Sequence, residues 1–295
     1  MKQITVISGK GGTGKTTITA AFASLAKNAV LADCDVDAAD LHLILTPDVR
    51  ETMEFKGLKV ANKDASKCIS CGKCLEHCRF NAIDEKFNIK DTGCEGCGVC
   101  EYVCPTNAIK LVDRIAGHAY LSETRFGPMS HAVLKTAEEA SGMLVSLVRE
   151  NAKRLARESG RELIIIDGPP GIGCPVISAI AGVDLVLIVA EPTVSGVHDA
   201  ERVIGVAKHF RVPAMLLVNK FDLNMDMTDK VEKFCQANGV LLAGRLPYDN
   251  ITTQAMIVGK TVIEHADGDF SMELGRIWKS VESMLNDAKN NDGGR

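Results

Sequence analysis

Ser8-Gly9-Lys10-Gly11-Gly12-Thr13-Gly14-Lys15-Thr16-Thr17 is the stretch on which the fold turns. Before it lies a short apolar run, 3–7, that reads as a buried strand. After it lies an amphipathic segment, 15–27, that reads as a helix. Residues 9–16 therefore satisfy G-x4-G-K-[ST] in the strand-to-helix setting that a phosphate-binding loop requires. Glycines let backbone N–H groups close around phosphates, and the helix N-terminus adds a favourable dipole. Lys15 is expected to reach the outer phosphates and Thr16 to ligate Mg2+. Lys10 is an additional lysine within the loop.

Working outward, 29–33, 163–167, 184–190, 214–219 and 240–243 are further apolar runs without alternation, as strands covered on both faces are. Helical patterns at about 142–158, 196–210 and 228–238 separate them. Strands alternating with helices predict an α/β fold built on a doubly wound, mostly parallel sheet. A last helix, about 270–288, puts Leu274, Ile277, Trp278, Val281 and Leu285 on one face, followed by a tail expected to fray. Aromatics make up only 4 % of the 295 residues, so the core must be aliphatic.

The sheet pattern stops near Leu58 and resumes near Leu144. Between them, Cys68, Cys71, Cys74 and Cys78 read C-x2-C-x2-C-x3-C, and Cys94, Cys97, Cys100 and Cys104 repeat that spacing before Pro105. "CRFNAI" after the first run echoes "CPTNAI" after the second. This is bacterial two-cluster ferredoxin spacing, in which the fourth Cys of each run serves the other cluster. The expected occupants are two [4Fe–4S] clusters. One would sit on Cys68, Cys71, Cys74 and Cys104, the other on Cys78, Cys94, Cys97 and Cys100. Zinc is the alternative, although zinc sites usually pair two C-x2-C units. The expected organisation is an ATPase domain, 1–59 and 113–295, interrupted by a small α+β bacterial-type ferredoxin domain, 60–112. Two short strands flanking Gly127-Pro128 are expected to form a hairpin within 118–134.

The "KGGTGKTT" form resembles the MinD/ParA/Mrp-type deviant Walker A P-loop ATPases, a family that includes the nitrogenase iron protein. The closest likeness within it is to members carrying an inserted ferredoxin domain. The resemblance implies Mg-dependent ATP hydrolysis by a nucleotide-sandwich homodimer, with Lys10 reaching the partner's phosphates. "LADCDVDAADLHLIL" resembles switch I, with Asp35 at the water-orienting position and Asp33 and Asp37 as acidic candidates for the Mg2+ shell. "LIIIDGPPGIG" resembles Walker B entering switch II, which gives Asp167 to Mg2+. Asn219 resembles the family's base-recognition Asn, whose amide can bond adenine on two sides. Pro247 resembles the segment that packs on the base. ATP is thus expected at Gly9, Lys10, Gly11, Gly12, Thr13, Gly14, Lys15, Thr16, Thr17, Asn219 and Pro247.

Cys34 and Cys235 read as buried packing residues. Cys174, seven residues after Asp167, matches the offset of a cluster ligand in the nitrogenase iron protein, but 105–166 hold no second Cys, so it reads as a structural thiol. Arg79, His77, Arg125 and His131 read as surface residues. A cluster-tuning role for the first pair and a partner or metal site for the second are the alternatives.

These motifs predict an ATPase coupled to iron–sulfur clusters, for electron transfer or for metal-cofactor and cluster assembly. The expected partner is a redox or cofactor-assembly protein. The alternative is a MinD/ParA-like spatial-positioning ATPase with purely structural clusters. An electron carrier with a dead ATPase fold would not be expected to keep Lys15, Thr16, Asp35 and Asp167. A net charge of −4 without basic clustering argues against nucleic acid. No uncharged apolar run reaches the roughly 18 residues that span a bilayer, so no stable membrane insertion is expected. Cysteines in metal spacing suit a reducing cytoplasm.

Overall fold

The computed structural model describes residues 1–135 and 142–291, the last four by backbone alone. The tail beyond 291 lies outside the described residues. The chain divides into two compact units. The first comprises 1–52, 119–132 and 140–295, and the second 53–118 and 133–139.

The main sheet is built on β1 (Lys2–Ser8), β2 (Ala29–Asp33), β3 (Asp48–Lys56), then β6 (Ile115–Thr124) and β7 (Gly127–Leu134) after the insertion, and β8 (Leu163–Pro170), β9 (Leu185–Ala190), β10 (Ala214–Asn219) and β11 (Leu241–Leu246). Their order in the sheet is β11-β10-β9-β1-β8-β2-β7-β6-β3. The pairs from β11 across to β7 are parallel, as the unalternating apolar runs predict. β9 is buried at every position, so helices must cover both faces.

Those helices are α1 (Lys15–Leu25) and α2 (Leu41–Leu45), then α5 (Gly142–Ser159), α6 (Cys174–Ile180), α7 (Val194–His209), α8 (Met225–Ala237), α9 (Ile251–Ile257), α10 (Val262–His265) and α11 (Asp269–Asn291). The expected stripe of α11 is buried, and the Trp278 ring meets Phe22 of α1 at 4.9 Å between centroids. β1 is flanked by β8 on one side and β9 on the other. The chain therefore fans out in both directions from β1, and the loop after β1 opens at the switch point where open α/β sheets bind ligands.

Between the arms of the sheet the sequence reading needs correction. The sheet resumes at Ile115 rather than near Leu144, because β6 and β7 belong to it. The hairpin turn is Arg125-Phe126, and Gly127-Pro128 lies inside β7. Thr124 Oγ1 donates to the Gly127 carbonyl at 2.8 Å and accepts from Phe126 N at 3.1 Å, which closes the turn one step earlier than Gly-Pro suggested. A proline is tolerated there because it falls at the start of its strand.

The second unit holds β4 (Val60–Lys63), α3 (Lys73–His77), α4 (Val99–Tyr102) and β5 (Ile109–Val112). β4 and β5 pair antiparallel, Val60 opposite Val112. The 26-residue repeat is also a repeat of backbone conformation. Ser70 and Gly96, Gly72 and Gly98, and Asn81 and Asn107 all adopt positive φ. At Gly96 a Cβ would stand 2.1 Å from the Lys59 carbonyl oxygen, so only glycine fits the second copy.

Candidate functional site

The loop between β1 and α1 is shaped by Gly14, whose φ of 91° caps α1 in a conformation other residues adopt at a cost. A Cβ on Gly14 would also lie 2.5 Å from Asn219 Nδ2. That amide donates to the Thr13 carbonyl at 2.8 Å, tying the end of β10 to the loop. Lys220 Nζ donates to the Gly12 carbonyl at 3.3 Å.

Below the loop the predicted acidic and basic residues converge. Lys15, almost wholly buried, places Nζ 3.2 Å from Asp35 Oδ2. Thr16 Oγ1 donates to Asp167 Oδ2 at 2.7 Å, and Thr19 Oγ1 to Asp167 Oδ1 at 3.0 Å. Asp33 pairs in register with Asp167 across β2 and β8. It accepts backbone N–H bonds from Asp35 and Leu41. Burial pushes the Asp167 carboxyl up to about 6 against the pull of Lys15 and the two threonine hydroxyls. Burial, followed by Asp167 and Asp35, raises Asp33 well above the usual carboxylate range. Burial also raises Asp35, opposed by Lys15. Three carboxylates crowd one buried lysine, a surplus of negative charge that a divalent cation would relieve. Asp37, by contrast, is exposed and outside this group.

Beside the loop lies a pocket of about 320 Å3 lined by Gly14, Thr17, Asn219, Lys220, Tyr248 and Met256, among others. Pro247 is half-buried and not itself part of the lining, which its neighbours Leu246 and Tyr248 supply. Lys10 engages its own chain, with Nζ 3.1 Å from Glu191 Oε2.

The eight predicted cluster cysteines line two separate small pockets in the second unit. Cys68, Cys71, Cys74 and Cys104 line one, and Cys78, Cys94, Cys97 and Cys100 the other. Among the described residues no group of three or more His, Cys, Asp or Glu converges on a single ion. Each pocket brings together four soft thiolates, the number that a [4Fe–4S] cluster takes. Backbone N–H groups already point at sulfur, Ala108 N to Cys104 Sγ at 3.2 Å and Ala61 N to Cys94 Sγ at 3.4 Å. Such bonds stabilise cluster-bound thiolate. Burial raises the Cys100 thiol to about 11.

Other predicted residues fall elsewhere. Cys34 and Cys235 are buried, as expected, and Cys174 is exposed at the start of α6. His77 and Arg79 are exposed. One surface reading is overturned. His131 is buried, stacked on Tyr120 at 5.0 Å and near His42 at 6.2 Å, with Nε2 2.9 Å from Ser122 Oγ. Arg125 is exposed, as expected, and from the surface it clamps three backbone carbonyls, of Ile44, Leu45 and Gly259, and pairs with Glu264.

Residues 4–262 match the CobQ/CobB/MinD/ParA nucleotide-binding domain. The chain belongs to this family. Two uncharacterized proteins of Methanocaldococcus jannaschii are similar along most of their length. One is 39 % identical over 227 residues, 75 % of this chain and 79 % of that one. The other is 25 % identical over 276 residues, 90 % and 93 %. In fold, the chain resembles the septum site-determining protein MinD of Pyrococcus horikoshii, solved with Mg-ADP. The TM-score is 0.62 at 16 % identity, covering 97 % of this chain and 98 % of that one. Members of the MinD/ParA group are generally ATPases, and this chain has their mostly parallel P-loop sheet.

The sequence reading did not find Thr19, Glu191, Lys220 or Tyr248. Thr19 had a usable signal, one helical turn beyond Lys15 on the same face. Glu191 had none, because nothing local in "AEPT" points toward Lys10.

Proposed function

We propose that the chain binds and hydrolyses Mg-ATP as a nucleotide-sandwich homodimer, and that hydrolysis is coupled to two [4Fe–4S] clusters in the inserted ferredoxin-like segment. The proposed output is electron delivery to, or cluster and cofactor assembly with, a partner protein. The loop amides and Lys15 would hold the phosphates, with Asn219 and Tyr248 beside the base. Thr16 and Asp167 would hold Mg2+, which neutralises phosphate charge when bound. Asp35 would orient the attacking water once Lys15 turns to phosphate. The two four-cysteine sets would hold the clusters, which supply one-electron capacity when bound.

The observation that carries the coupling is where the insertion leaves and re-enters the chain. It departs through β3, downstream of the segment holding Asp33 and Asp35, and returns through β6 and then β7, the last strand before α5. From α5, Arg149 Nη1 donates to the carbonyls of Ser178 and Ala181 at 2.6 and 2.9 Å, gripping the end of the helix that follows Asp167. Both routes out of the insertion thus lead to segments that would sense the outer phosphate. The positioning alternative is less well supported, because α11 spends its apolar face on the core. No described helix is long and apolar enough to cross a membrane.

The test is anaerobic purification followed by metal analysis and ATPase assay. The reading expects about eight iron per chain. Lys15→Ala should abolish hydrolysis, and Asp35→Ala should lower kcat by roughly a hundredfold or more while nucleotide still binds. Zinc in place of iron, or full turnover in Lys15→Ala, would sink it.

A further inference from the structure

We infer that Glu191 is a positioning residue that holds Lys10 on its own chain in competition with nucleotide phosphate. The inference rests on the proposed sandwich dimer, in which Lys10 must cross to the partner. Glu191 directly follows β9, with its side chain only 14 % exposed. Its Oε2 stands 3.1 Å from Lys10 Nζ, and its Oε1 accepts from Lys220 Nζ. Lys220 is anchored at the loop by its bond to the Gly12 carbonyl and by a left-handed backbone, φ 57°. Thr193, the N-cap of α7, accepts from Gly196 N and stands 3.5 Å from Lys10 Nζ. One carboxylate therefore bridges two lysines that both border the phosphate loop.

The geometry gives Glu191 a role beyond packing. Lysine acts as a flexible point charge, and its ammonium can be passed from one anion to another. While it sits on Glu191, Lys10 cannot extend outward. A triphosphate carries more charge than one carboxylate, so phosphate displaces Glu191. A ligand shifts such an equilibrium only by its differential affinity for the two arrangements. Glu191 thereby sets how much nucleotide is needed before Lys10 is released, while Lys220 keeps the carboxylate in place beside the loop.

The test uses the full chain with its clusters, purified anaerobically, as wild type, Glu191→Gln and Glu191→Asp. Lys10 acetylation is followed by mass spectrometry without nucleotide. Dimerisation is followed by sedimentation against Mg-ATP concentration. In Glu191→Gln, Lys10 should be acetylated roughly two- to fivefold faster, the size of a half-exposed ion pair. Its half-maximal ATP concentration for dimerisation should fall by a similar factor. Glu191→Asp, which keeps the charge, should stay near wild type, and the dimerisation shift should vanish in a Lys10→Ala background. Unchanged Lys10 reactivity, or a shift that survives Lys10→Ala, would overturn the inference. If wild type never dimerises with ATP, the sandwich reading fails instead, and the acetylation rates still decide whether Glu191 holds Lys10.

Discussion

The sheet unit fully buries Phe22, Leu31, Met129 and Ile165, whereas the side chains buried between residues 60 and 112 are only Val60, Ala61, Ala82, Ile83, Ala108 and Ile109. A buried Leu, Ile or Phe contributes about 1.5–3 kcal/mol, so the sheet unit carries its own driving force. Six small or medium side chains do not offset the ordering of more than fifty residues, at about 1–2 kcal/mol of backbone entropy each. Domains of that size usually depend on a metal or on disulfides, and all eleven cysteines are free. One region is held by what it excludes from water, and the other is proposed to be held by what its thiols bind.

The largest effect that could break this contrast is removal of iron. Oxidative chelation should expose 60–112 to proteolysis completely while the sheet unit keeps its cooperative melting transition. A cysteine segment that stayed protected after chelation would place its stability in packing after all.

Within the sheet unit, the buried polar groups sharpen the contrast by their pH dependence. Burial, with the nearby His42, holds the His131 imidazole down at about 4, against 6.5 for the free side chain. The unfolded chain therefore takes up a proton at a higher pH than the folded one. Stability is fully present above about pH 6.5 and is lost as pH falls toward 4, by up to about 3 kcal/mol. His131→Gln should flatten that slope in denaturant titrations at pH 4.5 and 7.5. An unchanged slope would mean that His131 is not the group responsible.

A smaller effect is expected from Arg125→Ala, which strands three carbonyls and Glu264. It should lower sheet-unit stability by about 1–3 kcal/mol and leave cluster content untouched. Loss of iron in that variant would show that the two regions do not stand independently.

Much of the sheet unit was legible because its central strands are unbroken apolar runs. β1, β2, β8, β9 and β10 fall where those runs lie. β3 was missed because "DVRETMEFK" is almost wholly exposed, and Glu51 interrupts the alternating face of Val49, Met53 and Phe55. The hairpin was displaced because Gly127-Pro128 carries the stronger turn signal, while the turn itself rests on the Thr124 hydroxyl. His131 looked like surface because a single histidine among small residues reveals nothing of Tyr120 and His42, brought to it from elsewhere in the chain. The spacing predicts a crossed division of the eight cysteines, and the linings of the two pockets divide them in the same way. Long-range charge partners such as Lys10 with Glu191 were not, since pairing across 181 positions leaves no local mark.

The most direct test of coupling between the two regions is the Mg-ATP hydrolysis rate of anaerobically purified protein, first with clusters oxidised and then after dithionite reduction. The account predicts a several-fold difference, abolished by Lys15→Ala. Equal rates in the two redox states would contradict it and leave the clusters as structural pins.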